Sequence, residues 1–162
     1  CEYVIVGHSE RRTMFGDNEV AVAKKVAATF RNGMKPLLCV GENAKERTEG
    51  KTARKISMQI NNAFKGLQAE QAKEVVVAYE PLWAIGSGQA ATAKDAQEVC
   101  HLIREKLTTM FGEKISRQVR ILYGGSVNEN NAVAFKISGI DGVLVGGASL
   151  NAKAFSAIVR SF

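Results

Sequence analysis

The chain has 162 residues, of which 46% are hydrophobic and only two are proline, so it can bury a substantial core in one domain spanning residues 1–162. Its formal charge of +6 comes from dispersed basic residues, which favours a solvated basic surface that attracts anionic metabolites over a surface for nucleic acid or membrane. No apolar run approaches about 18 residues and no charged leader precedes an apolar core, so we expect neither a membrane span nor a signal peptide.

The cysteine content favours a reducing, cytoplasmic location. Cys1, Cys39 and Cys100 are an odd number without paired spacing, so neither a disulfide framework nor a zinc site is indicated. Only two histidines are present, which gives a metal site little support. The chain begins with Cys1 and a strand-like segment follows at once, so we expect it to be part of something longer.

Strand-like apolar runs alternate with helical patterns along the chain, which predicts βαβ units and a parallel α/β sheet. The predicted strands are residues 3–6, 36–40, 75–79, 120–123 and 142–145. Helices are predicted at about 18–31, ending near Gly33, and at about 53–64, where the pattern is weaker. A last helix carries Phe155, Ile158, Val159 and Phe162.

The clearest helix follows Thr92, which can cap it together with Asp95 three residues later. Apolar residues recur at three- and four-residue spacing from Ala96 to Met110, so this face should be buried. The opposite face is expected to meet water and holds Lys94, Glu98, Arg104 and Glu105. His101 should also lie at the surface.

Glu80 is the strongest candidate for a catalytic residue. It follows residues 75–79, an apolar run typical of a strand covered on both faces. A carboxylate at this exit is partly desolvated, which should raise its pKa toward the range of a general base. Pro81, Gly86 and Gly88 frame an apolar loop that could cover a reaction and exclude water. Alternatively, Glu80 only caps the strand and pairs with a Lys or Arg.

Nearly all of the remaining strands are also followed by glycines or polar residues, and strand ends are where sites form in such folds. They include His8, Glu10, Gly41, Glu42, the pair Gly124–Gly125 with Ser126, and the pair Gly146–Gly147. The glycine pairs follow two successive strands and expose backbone N–H groups. A short helix predicted after residue 145 would point its positive end in the same direction. Together they predict a cradle for an oxyanion or phosphate. Each pair alone would favour a tight turn.

His8 is either a structural or a catalytic imidazole. If a helical turn begins at Ser9–Glu10, its backbone N–H groups would hydrogen-bond the ring and hold it uncharged as a hydrogen-bond donor.

Five motifs together resemble the triosephosphate isomerase family in order and spacing. They are VIVGHSERR (4–12), LLCVGE (37–42), AYEPLWAIGSG (78–88), LYGGSVN (122–128) and GVLVGGASL (142–150). The resemblance implies an eightfold (β/α) barrel that interconverts dihydroxyacetone phosphate and glyceraldehyde 3-phosphate without metal or organic cofactor. It also implies a cytoplasmic homodimer that binds a small triose phosphate and neither nucleic acid nor membrane.

The resemblance assigns roles to individual residues. Glu80 would be the base that moves a proton between adjacent carbons, and His8 the neutral electrophile that polarises the carbonyl. Residues 81–90 would be a closing lid, and Glu10 would support the site. The backbone amides that hold the substrate phosphate would be those of Gly86, Ser126, Gly146 and Gly147.

Departures from the family pattern are equally informative. Barrels of this class have about 250 residues, so roughly 90 are absent here, equivalent to the first three βα units, and the chain would supply strands 4 to 8. The family's Asn and Lys after its first strand, and its dimer loop, have no counterpart. Gln89 stands where Lys is common, and Glu10 would lack its lysine partner. We therefore expect the chain alone to be inactive.

Two other functions stay open from the sequence. Another phosphate-binding barrel enzyme would not require Glu80 and His8 together. A non-catalytic barrel fragment could instead serve as a binding module.

Overall fold

The structure is a computed structural model that describes residues 1–85 and 91–162. The strands are β1 Tyr3–Val6, β2 Lys35–Val40, β3 Val76–Tyr79, β4 Arg120–Tyr123 and β5 Gly142–Val143. The helices are α1 Ser9–Phe15, α2 Glu19–Arg31, α3 Ala44–Thr48, α4 Thr52–Phe64, α5 Ala69–Ala72, α6 Ala93–Phe111, α7 Glu113–Ser116 and α8 Ala152–Ser161, with 3-10 helices at Ala132–Phe135 and Gly147–Leu150.

The five strands form one parallel sheet in the order β1-β2-β3-β4-β5, as the alternating pattern predicts. Each strand therefore lies beside the next one in sequence, and all five carboxyl ends meet at one edge. The central strand β3 is buried along its whole length, which confirms the prediction from its apolar run. The prediction for β5 was too long, because pairing stops at Val143 and the next two residues line a cavity.

The sheet is curved, as shown by contacts between residues of β1 and β4 despite the two strands between them. Arg120 in β4 donates a hydrogen bond to the Tyr3 hydroxyl in β1 over 2.6 Å, and its guanidinium lies 5.7 Å from the Tyr3 ring. On a flat sheet these strands would be about 14 Å apart. The curvature brings both edges of the sheet toward the same site.

The three long helices α2, α4 and α6 pack beside one another against the sheet. The apolar face predicted for α6 is buried from Ala96 to Leu107 and partly buried at Met110, and its capping box forms between Thr92 and Asp95. Helix α2 buries Val22 and Val26. Burial of these faces supplies much of the hydrophobic stabilisation of the sheet.

Sequence reasoning missed the short helices α3, α5 and α7. The start of α3 had a readable signal, since Asn43 and Glu46 stand three residues apart and form a capping box. The prediction that Arg104 faces water was also wrong. Its guanidinium donates to the carbonyls of Ser116 and Val119 and pairs with Asp141, which ties α6 to the chain before β4 and β5.

The apolar stripe of α8 is only partly covered. Ile158 is buried, whereas Phe155, Val159 and Phe162 are exposed. Within the described residues, no helix has both the length and the apolar character needed to cross a membrane.

Candidate active site

A cavity of about 420 Å³ opens at the carboxyl ends of the strands. Its lining comes from the ends of β1, β3, β4 and β5. It brings together eight residues singled out from the sequence, which are His8, Glu10, Glu80, Gly124, Gly125, Ser126, Gly146 and Gly147. Gly86 lies outside the described residues, as do Gly88 and Gln89.

Glycines create the space in which Glu80 sits. A Cβ added at Gly41 would lie 1.7 Å from the Glu80 carbonyl oxygen, and one at Gly124 would lie 3.0 Å from its Cγ. Larger residues at these positions would push the end of β3 out of place. The backbone N–H of Glu80 donates to the Val40 carbonyl over 2.7 Å, so the main chain of Glu80 is held by β2.

Both carboxylate oxygens of Glu80 have protein partners. Oε1 lies 3.2 Å from Nε2 of His8, and Oε2 accepts the backbone N–H of Ser9 at 3.0 Å. The residue is 2% exposed, and this burial raises the pKa of the carboxyl above its ordinary value. The proximity of His8 and the Ser9 hydrogen bond oppose the rise in pKa. A raised pKa suits a general base.

The predicted hydrogen bond from the Ser9–Glu10 turn to the imidazole was wrong. Helix α1 does begin at Ser9, directly after His8. The N–H of Ser9, however, donates to Glu80, because the curvature of the sheet brings the end of β3 to the start of this helix. The ring of His8 therefore lies beside the carboxylate and is about one-third exposed to the cavity.

The two glycine pairs differ in their surroundings. A Cβ at Gly125 would lie 2.0 Å from the Tyr123 hydroxyl, so this pair is packed against the protein. At Gly146 and Gly147, a Cβ would meet no atom of residues 1–85 and 91–162 within 4 Å. The predicted short helix after residue 145 is the 3-10 helix that begins at Gly147. This second pair thus leaves backbone exposed at the rim of the cavity.

Glu10 lies at the rim and is exposed. None of the ion pairs seen in residues 1–85 and 91–162 includes it. In the same part of the chain, no cluster of three or more His, Cys, Asp or Glu side chains is arranged to hold a metal ion.

Sequence reasoning missed Cys39, whose thiol lies beside the Glu80 carboxylate. Burial raises the pKa of this thiol well above its ordinary value, so it stays protonated. The sequence held only part of the signal, since side chains two residues apart on a strand share a face. The register that pairs Cys39 with Ala78, two residues before Glu80, comes from the structure.

Glu42 at the end of β2 anchors the start of the loop after Glu80. Its Oε1 accepts hydrogen bonds from the Tyr79 hydroxyl at 3.1 Å and from the Trp83 indole at 2.9 Å. Arg47 pairs with the same oxygen and stacks over the Trp83 ring at 4.5 Å. The first half of the predicted lid, residues 81–85, is therefore attached to β2, and Ile85 reaches the cavity.

Fold and cavity together define a parallel α/β protein with a ligand-sized site at the carboxyl edge of its sheet, built around a buried carboxylate and an imidazole. The family model described as triosephosphate isomerase matches residues 1–162. The chain belongs to the triosephosphate isomerase family.

Curated relatives agree with this membership. The chain is 50% identical to the triosephosphate isomerase of Acetivibrio thermocellus over 160 residues, which are 98% of this chain and 64% of that protein. It is 52% identical to the enzyme of Moorella thermoacetica over 161 residues, covering 99% of this chain and 64% of that protein. The chain thus spans somewhat less than two thirds of the length of these relatives.

Proposed function

We propose that the full-length protein interconverts dihydroxyacetone phosphate and D-glyceraldehyde 3-phosphate. The observation that carries this proposal is the pairing of Glu80 with His8, 3.2 Å apart at a cavity whose rim holds Gly146 and Gly147. The buried carboxylate supplies a base of raised pKa, and the imidazole supplies a hydrogen-bond donor.

In the proposed reaction, the Glu80 carboxylate removes a proton from the carbon next to the substrate carbonyl. The electron pair moves to the carbonyl oxygen and gives an enediolate, which a hydrogen bond from His8 stabilises. The carboxylic acid of Glu80 then returns a proton to the carbon that carried the carbonyl. The hydroxyl proton on the other carbon passes to the former carbonyl oxygen, so that this other carbon becomes the new carbonyl. Oε2 of Glu80 accepts the Ser9 N–H in the present structure, and the side chain is proposed to turn away from Ser9 when substrate binds.

The substrate phosphate is proposed to lie on backbone amides of Ser126, Gly146 and Gly147, and on that of Gly86, which falls outside the described residues. Open space at the second glycine pair supports this placement, because a phosphate oxygen can approach the main chain there. Glu10 is proposed to support the site from the rim. No metal or organic cofactor takes part in this scheme.

The wider assignment is also a proposal. The curved parallel sheet is proposed to form strands 4 to 8 of an eight-stranded (β/α) barrel, with residues 1–162 in one domain. The full-length protein is proposed to be a cytoplasmic homodimer.

The test is to follow dihydroxyacetone phosphate in D2O with the full-length protein. Proton transfer through Glu80 should place deuterium at C2 of the glyceraldehyde 3-phosphate formed. Absence of turnover, or cleavage of a carbon–carbon bond in a hexose bisphosphate, would contradict the proposal.

A further inference from the structure

Arg12 uses every nitrogen of its guanidinium inside the protein. Its side chain is 12% exposed. Nε donates to the Gly7 carbonyl at 2.6 Å, and Nη2 donates to the Cys39 carbonyl at 3.3 Å. Nη1 faces both carboxylate oxygens of Glu19, at 3.0 and 3.1 Å. The charge is therefore balanced by Glu19, and the two other nitrogens hold backbone.

The two carbonyls lie where the ladder between β1 and β2 has ended. The last paired residues are Val6 and Leu38, so Gly7 and Cys39 are each one residue beyond. Gly7 then turns the chain with a φ of 73°, and an added Cβ there would lie 2.9 Å from the Arg12 guanidinium. The Arg12 guanidinium supplies the hydrogen-bond donors that strand pairing no longer provides here, since buried carbonyls need a donor.

Each carbonyl leads to one of the two reacting side chains. The Gly7 carbonyl belongs to the peptide that joins Gly7 to His8. The Cys39 carbonyl belongs to the residue whose thiol lies beside the Glu80 carboxylate. The Arg12 guanidinium thus connects the backbone that precedes His8 with Cys39, the residue against which the Glu80 carboxylate packs.

We propose that Arg12 is a positioning residue that fixes His8 and Glu80 relative to each other through the carbonyls of Gly7 and Cys39. This inference rests on the proposed function. The guanidinium is suited to the task because its rigid fork reaches two acceptors at once, whereas a lysine ammonium is a single point on a flexible stem.

The experiment compares Arg12→Lys and Arg12→Met with the unmodified full-length protein. Arg11→Lys is the matched control, because the neighbouring guanidinium contacts Asp17 and touches neither carbonyl. Displacement of reacting groups by about 1 Å costs up to roughly 100-fold in rate, so kcat of Arg12→Lys should fall about 10- to 100-fold. KM should change by less than about threefold, since the proposed phosphate site is elsewhere. The control should keep its kcat.

The pH profile separates charge from geometry. Glu80 faces His8, the Ser9 N–H, Cys39 and the more distant Arg12 charge, which lowers the carboxyl pKa. Arg12→Lys keeps this charge, so the acid limb of kcat/KM should stay in place. Arg12→Met removes the charge, so that limb should move to higher pH. A merely structural arginine would change the melting temperature and leave both kcat and the acid limb unchanged.

Retention of kcat within about twofold in Arg12→Lys would overturn the assignment. Unfolding of both variants would also overturn it, since the residue would then serve folding. Absence of isomerase activity in the unmodified protein would instead refute the proposed function, and this inference would fall with it.

Discussion

Glu80 is placed with little tolerance, because Gly41 lies against its backbone carbonyl, Gly124 lies against its Cγ, and His8 and Ser9 hold its carboxylate oxygens. Shortening it to Asp retracts the carboxylate by one methylene. We expect Glu80→Asp to lower kcat of the full-length protein by roughly 10²- to 10⁴-fold, the usual contribution of a general base.

Steady-state kinetics of the isomerisation measures this effect. Glu74→Asp is the control, since Glu74 is a partly exposed carboxylate paired with Lys35 away from the cavity. Near-normal turnover in Glu80→Asp would count against Glu80 as the base.

The raised pKa of Glu80 also predicts how stability depends on pH. Between the ordinary carboxyl pKa of 4.5 and the higher folded value, the unfolded chain loses a proton that the folded chain keeps. Stability must therefore fall as pH rises through this window and then level off. Glu80→Gln has no carboxyl to titrate and loses this pH dependence. The melting temperature of Glu80→Gln minus that of the unmodified protein should therefore increase as pH rises above about 4.5.

Thermal melts across this pH range provide the check. A difference between the two proteins that is constant with pH would show that the carboxyl pKa is not raised by burial.

At the scale of elements, the turn between β5 and the following 3-10 helix is open to the cavity. The Cβ of a valine at Gly147 would meet no atom of the described part of the chain within 4 Å, so the fold should tolerate it. Its side chain would occupy the space proposed for phosphate. We expect Gly147→Val to weaken binding of a phosphate-bearing transition-state analogue by at least about 10-fold with little change in melting temperature.

Calorimetric titration with the analogue measures this loss. Ser149→Val is the matched control, because Ser149 is exposed on the same 3-10 helix and does not line the cavity. Equal affinity in both variants would place the phosphate site elsewhere.

The link between β2 and the loop after Glu80 depends on one fully buried carboxylate. Glu42→Leu would leave the Tyr79 hydroxyl and the Trp83 indole without their acceptor, and Arg47 would keep only its pairing with Asp95. Breaking such a buried pair costs about 3 kcal/mol or more, so we expect the free energy of unfolding to fall by about that amount. Glu42→Gln keeps an acceptor and should lose less.

Denaturant unfolding measures the cost, and fluorescence reports the local change because Trp83 is the only tryptophan of the sequence. Glu49→Gln removes a surface carboxylate instead and should change stability by less than about 1 kcal/mol. Unchanged emission in Glu42→Leu would show that Glu42 does not hold the loop.

At the scale of the whole molecule, each edge strand of the described sheet is paired on one side only. Ile5 in β1 is 52% exposed, and Phe155 and Val159 of α8 are exposed as well. Unpaired strand edges and apolar patches promote association. We therefore expect the 162-residue chain by itself to self-associate and to lack isomerase turnover.

Light scattering over a range of concentrations, with a turnover assay on the same samples, tests this expectation. Ile5→Lys should reduce association by placing charge at the open edge. A monodisperse and fully active monomer of the unmodified chain would contradict it.

The sequence by itself determined what depends on nearby residues. Apolar runs and glycine positions predicted the parallel strands, the capping pair Thr92–Asp95 marked the start of α6, and the position after a buried strand marked Glu80. These features could be predicted because hydrophobic period and capping chemistry act over a few residues.

Only the tertiary structure decided which side chains meet at the site. Ser9 and Glu80 are 71 residues apart, and Arg12 and Cys39 are 27 apart, so their contacts depend on strand register and sheet curvature. The same curvature places the Glu80 carboxylate where it accepts the Ser9 N–H and lies beside the His8 imidazole. Local pattern predicts where a strand ends. The partners of that end are set by strand register and by the bend of the sheet, because only these bring residues distant in sequence within hydrogen-bonding distance.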